Sequence, residues 1–134
     1  MTNKNNQHAQ LSPTALAFIG DAVYSLLVRE YLIGNGPKPV NTLHRECVKM
    51  VNAKAQAAAV KKIKHALTET ETAVFKRGRN AQTATPKSAT IGEYHLSTGF
   101  EALIGYLHLA GETERIKQFF EMIIAPDQGI ITQA

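Results

Sequence analysis

The stretch TALAFIGDAVYSLLVREYLI, Thr14 to Ile33, decides the fold class. Ser12 and Pro13 precede it as an N-cap and a first helical residue. Gly34 ends it, and Asn35, Gly36, Pro37 and Pro39 punctuate the connection that follows. At 100° per residue, Ala15, Ile19, Ala22 and Leu26 form one apolar stripe. Leu16, Val23 and Leu27 widen it on one side, and Phe18, Val28 and Leu32 continue round the other. A helix apolar nearly all round is expected at the centre of a bundle. One carboxylate, Asp21, sits in its middle, with the small residues Ala17 and Ser25 one turn away on either side.

Working outward, the pattern continues as helices. A second is expected over about Asn41 to Met50, and a third, rich in Ala and Lys, over about Asn52 to Leu67. Thr68 and Glu71 have capping-box spacing and open a fourth that ends near Gly78. Gly78 to Thr90, with Pro86, reads as an exposed loop. A fifth helix is expected from about Tyr94 to Ala110, closed by Gly111, and a sixth from about Glu112 to Ala125, before Pro126. No segment alternates like a strand, so the fold class is all-α, a bundle of about six helices. The division is a disordered leader over 1–10, one domain over 11–125 and a tail over 126–134.

Composition narrows the function. A chain of 134 residues, 44% hydrophobic, buries a core without help. With the single Cys47 it forms no internal disulfide, which suits a reducing, cytoplasmic compartment. There is neither an apolar run of spanning length nor a signal-peptide core, so no membrane association is expected. The net charge of +4 conceals an asymmetry: Lys38 to Lys87 holds eleven basic and three acidic residues, and the remainder four basic and eight acidic. A cationic middle suits a polyanionic partner, although solvated helix faces give the same count.

The fifth helix repeats the pattern of the first. Glu101 is its interior carboxylate, with Ser97 one turn before, Gly105 one turn after and Thr98 three residues back. Small residues around a carboxylate leave room for a second helix, an ion or a substrate. Each carboxylate could pair with a buried Arg or a backbone amide, or the two could share a cation such as Mg²⁺, which prefers one or two carboxylates and keeps several waters. The histidines His8, His44, His65, His95 and His108 have no convincing metal-ligand spacing.

LAFIGDAVYSLLVREYL at Leu16 to Leu32 resembles the signature helix of the ribonuclease III family, and FEALIGYL at Phe100 to Leu107 its second catalytic helix. KRGRNA at Lys76 to Ala81, followed by TPK at Thr85 to Lys87, is similar to the small branch called Mini-ribonuclease III. The resemblance spans Leu11 to Ala125. It implies a homodimeric, metal-dependent endoribonuclease acting on double-stranded RNA with Mg²⁺, or Mn²⁺ as a substitute. Asp21 and Glu101 match the catalytic metal ligands. Two further family acids are replaced, by Ala17 and Thr98, so the metal is expected to keep more waters and bind less firmly. Phe18 matches a dimer-contact position.

The family's larger members carry a separate RNA-binding domain after the nuclease domain. Here about nine residues follow the last helix, so the cationic middle is expected to grip the RNA. Lys76, Arg77, Arg79, Asn80 and Lys87 are the expected contacts, with Gly78 bending the loop between two arginines. Lys54, Lys61, Lys62 and Lys64 would extend the track. Maturation of the 23S ribosomal RNA precursor, with a possible ribosomal-protein helper, is implied by the resemblance alone. A non-catalytic RNA-binding module, or a helical dimeric interaction protein, is the competing reading.

Overall fold

The computed structural model describes residues 11–81 and 89–126; the expected leader, Lys87 and the tail past Pro126 lie outside them. Six α-helices follow one another: α1 Pro13–Gly34, α2 Val40–Val51, α3 Ala53–Ile63, α4 Glu69–Arg79, α5 Ile91–Leu109 and α6 Thr113–Ile124. A 3₁₀ turn, Lys64–Ala66, continues α3 to nearly the length expected from sequence. There is no strand among the described residues.

The helix starts follow local chemistry. Ser12 Oγ accepts from the Ala15 amide and Pro13 occupies the first turn of α1. Thr68 and Glu71 close a reciprocal capping box on α4. Thr90 and Glu93 do the same on α5, so that helix begins at Ile91, three residues before the expected Tyr94. Gly111 takes φ 76° after α5, which only glycine adopts without strain.

The central helix is α5, not α1. From Ser97 to Leu107 every residue of α5 except Glu101 is buried, and α1, α3, α4 and α6 pack around it. Helix α1 buries one side only, Leu16, Ala17, Gly20, Tyr24, Val28 and Leu32, and packs mainly on α5. Its all-round apolarity has a different meaning. The stripe of Ala15, Ala22 and Leu26, with Phe18 and Ile33, faces outward, and Phe18 is 83% exposed. The core between the helices is sealed by aromatic edges: Tyr24 meets Phe100 at 4.8 Å between centroids, and Tyr31 meets Phe120 at 5.5 Å.

Helix α4 also corrects an expectation. It runs on to Arg79, so Lys76, Arg77, Gly78 and Arg79 form its last turn instead of a loop. Gly78 is buried against α5 and does not bend the chain. A Cβ there would lie 2.7 Å from Ala102 Cβ and 2.9 Å from Gly99 Cα, so glycine serves close helix packing.

Candidate active site

The site grows from two glycines. A Cβ on Gly20 of α1 would collide with the carbonyl oxygen of Glu101, and one on Gly105 of α5 with the carbonyl oxygen of Leu16. The two helices therefore touch backbone to backbone, closer than any side chain permits. Asp21 follows Gly20 directly, so the crossing that seats Gly20 on Glu101 brings the two acids together. Their side chains are within hydrogen-bonding reach. Gly105, expected as a small flank leaving room beside Glu101, is filled by α1 itself.

The two carboxylates stand in unlike surroundings. Asp21 is exposed and Glu101 is half-buried. Glu101's carboxyl is pushed up to about 8, first by burial and then by the charge and hydrogen bond of Asp21; a hydrogen bond from Gln56 opposes the rise. Gln56 of α3 was not singled out by sequence. Its Nε2 donates to Glu101 Oε2 at 3.3 Å and to the Val51 carbonyl at 3.1 Å. The available signal was a lone amide inside the alanine-rich run AKAQAAAV.

The groups acting on Glu101 are thus burial, a second acid and an amide, with no cation among them. A partly desolvated carboxylate beside another is the environment a divalent cation relieves, and oxygen donors of this kind suit Mg²⁺ or Mn²⁺. The residues present fit such an ion, held by Asp21 and Glu101. No group of three or more His, Cys, Asp or Glu side chains among the described residues is placed to hold one. At the positions of the two replaced acids, Ala17 is buried, and the Thr98 hydroxyl donates to the Tyr94 carbonyl at 3.1 Å. Ser97 donates to the same carbonyl at 2.8 Å, a bond that suits a spacer more than a nucleophile.

The basic side chains separate into three kinds. Lys76 and Arg79 join Lys61 and Lys64 along a groove of about 220 Å³ whose floor includes Val60, Leu67, Phe75 and Leu96. Arg79 lies 5.9 Å over the Phe75 ring, and its Nε donates to Asn80 Oδ1 at 3.2 Å. Arg77 instead donates to the Leu11 carbonyl at 2.9 Å, across to the start of α1. Lys62 is a tether: its Nζ donates to the carbonyls of Ile123 and Ala125, both at 2.9 Å, at the end of α6. Lys54 is exposed, and Lys87 lies outside the described residues.

An all-helical domain in which two crossed helices each bring one carboxylate to a common place, and whose surface carries a basic groove along α3, α4 and α5, suits a metal-dependent nuclease. Residues 14–112 match the Ribonuclease III domain. A Mini-ribonuclease 3 of Thermoanaerobacter sp. is 52% identical over 115 residues, covering 85% of this chain and 81% of its own length. The Mini-ribonuclease 3 of Symbiobacterium thermophilum is 50% identical, covering 83% and 86%, and that of Enterococcus faecalis 42% identical, covering 87% and 91%. A crystal structure of a Fusobacterium nucleatum protein superposes with a TM-score of 0.80 at 36% identity, covering 86% of this chain and 94% of that one. The chain belongs to the ribonuclease III family, among the Mini-ribonuclease 3 proteins, and is an endoribonuclease. No helix among the described residues is long and apolar enough to cross a membrane.

Proposed function

We propose that the protein cleaves double-stranded RNA with a divalent ion held by Asp21 and Glu101, and that its substrate is the 23S ribosomal RNA precursor. The observation that carries the reading is the meeting of these two acids over the Gly20–Gly105 crossing. Once bound, Mg²⁺ supplies an activated water and neutralises charge at the phosphoryl group. The protein's own part is positional. Asp21 presents its carboxylate to solvent, and Glu101 does so from the one partly open position between Ser97 and Leu107 of α5. Gln56 and the helix crossing fix Glu101 from behind.

Duplex RNA is read by shape, through phosphates and 2′-hydroxyls. The groove bearing Lys61, Lys64, Lys76 and Arg79 supplies clustered positive charge, with Asn80 at its edge and Lys87 further along the chain. Arg77 contributes to the field around α4 while holding Leu11. The outward apolar stripe of α1, with Phe18 as anchor, is the surface for a second copy of the chain. A homodimer would set two carboxylate pairs against two RNA strands. A ribosomal-protein helper that presents the precursor, and a cytoplasmic location, belong to the same reading.

The decisive test is a cleavage assay on duplex RNA with and without Mg²⁺. Wild type should cut only with the ion, and Asp21→Asn and Glu101→Gln should bind RNA but cut at a small fraction of the wild-type rate. Cleavage by either variant at a near wild-type rate would sink the metal assignment. Binding without cleavage by the wild type, with Mg²⁺ and then Mn²⁺ supplied, would favour the non-catalytic reading. Phe18→Glu should sediment as a monomer, and a surviving dimer would place the contact elsewhere.

A further inference from the structure

Gln56 is 1% exposed on α3, its amide lying between a backbone carbonyl and the Glu101 carboxylate. The Val51 carbonyl can only accept, so it requires the Nε2 end of the amide to face it. The same Nε2 then has one hydrogen left, and that hydrogen goes to Glu101 Oε2. Among the described residues, the other end of the amide, Oε1, is buried with no hydrogen-bond partner. Turning the amide over would lose both bonds and set Oε1 against the Val51 carbonyl and the Glu101 carboxyl. The orientation is therefore locked, and it carries a buried unsatisfied oxygen that an apolar side chain of the same shape would avoid. A local cost kept beside a chemical site points to a use at that site.

We propose that Gln56 is a positioning residue for Glu101, holding one carboxylate oxygen from inside the protein so that the remaining lone pairs face Asp21 and a shared divalent ion. The proposal rests on the metal reading given above. Its logic is that of the partners behind metal ligands generally, which fix the ligand's rotamer and whose loss weakens metal binding about 10–100-fold. Because Glu101 extends from a helix already pinned at Gly105, its side-chain torsions are the freedom left to fix. A donor on α3 removes that freedom without contributing a ligand of its own.

The test uses Gln56→Met, which keeps length and volume and removes the N–H donor. Mn²⁺ binding to the protein without RNA, read by the paramagnetic resonance signal of the free ion, should weaken about tenfold or more. Cleavage should fall at limiting Mg²⁺ and recover with excess Mg²⁺, while KM for the RNA stays unchanged. Mn²⁺ affinity within about twofold of wild type, in a variant with native helicity, would overturn the proposal. If Glu101→Gln loses the ion and Gln56→Met keeps it, the proposal alone falls. If wild type and Glu101→Gln bind Mn²⁺ alike, the metal reading falls and takes this one with it. Should Gln56→Met fail to fold, selective ¹⁵N-glutamine labelling of the wild type still decides. The exchange-protected side-chain amide with contacts to Val51 should shift on adding Mg²⁺, and should not shift in Glu101→Gln. A wild-type amide that ignores the ion counts against the proposal.

Discussion

Glu71 and Glu101 are both drawn in from the surface, and their surroundings are opposites. Glu71, at the start of α4, is 5% exposed and is met by Arg115 of α6 through two hydrogen bonds of 2.8 Å. Arg115 also donates to the Ala66 carbonyl at 2.7 Å and lies 4.3 Å over the Phe119 ring. Burial pushes the Glu71 carboxyl up, but the hydrogen bonds from Arg115 and Thr68 and the arginine's charge outweigh it, so the group sits below the usual range. Glu101 is met by Asp21 instead and sits far above it. The first arrangement is complete as it stands and joins three parts of the chain. The second is electrostatically unfinished, and unfinished sites of this kind are where chemistry is placed.

That contrast yields its largest test in cleavage. Glu101→Gln should lower kcat by about 10²–10³-fold, the scale of losing a main electrostatic contact to the reacting group. Glu71→Gln, assayed at a temperature where it is folded, should cut at a rate close to wild type. Comparable losses in both would erase the distinction between the two sites.

Stability should reverse the order. Arg115→Met strands a buried carboxylate and should cost about 3 kcal/mol in urea denaturation, at the low end for broken buried pairs because Arg115 is itself partly exposed. Glu101→Gln, measured without divalent ions at pH 8, should cost nothing or raise the midpoint. A destabilised Glu101→Gln would mean that its carboxylate has a stabilising partner after all.

The crossing beneath the carboxylates can be probed separately. Gly105→Ala sets a methyl against the α1 backbone, which no side-chain rotation relieves. It should cost about 1–3 kcal/mol of stability and reduce cleavage beyond what unfolding explains. Full activity in the folded fraction would show that the spacing of the acids tolerates helix movement.

The smallest effect is a slope. Glu101's folded carboxyl, at about 8, lies above its ordinary 4.5. Below 4.5 both folded and unfolded chains hold the proton, and this contribution to stability is fully present. As pH rises toward 8 the unfolded chain releases the proton while the folded chain keeps it, so stability should fall, the loss being complete once the folded group ionises. Thermal melts in chelator should show that decline. Mg²⁺ or Glu101→Gln should flatten it, and a decline that persists in Glu101→Gln would have another source.

Much of this was legible in the chain before folding. Capping chemistry at Ser12, Thr68 and Gly111 is local, so the helices could be placed within a few residues; at Thr90 the Glu93 partner of the box moved the start by three. Asp21 and Glu101 stood out because each is the acid in the interior of an apolar helix, flanked by small residues one turn away. The wheel of α1 misled about the centre of the fold, since apolar residues all round a helix do not say which of its faces meets the core, and here Phe18, Leu26 and Ile33 are exposed. Gly78 read as a hinge for a similar reason: a glycine in sequence does not tell conformational freedom from close packing.

The sequence by itself determined the helices, the two acids and the basic stretch, because capping, periodicity and charge act between residues near in the chain. Tertiary structure alone decided which helix is central, that Gly20 and Gly105 bring the acids together, that Arg115 neutralises Glu71, and that Gln56 stands behind Glu101. Those facts depend on contacts between residues tens of positions apart, and no local rule fixes which distant backbone a glycine or an amide will meet.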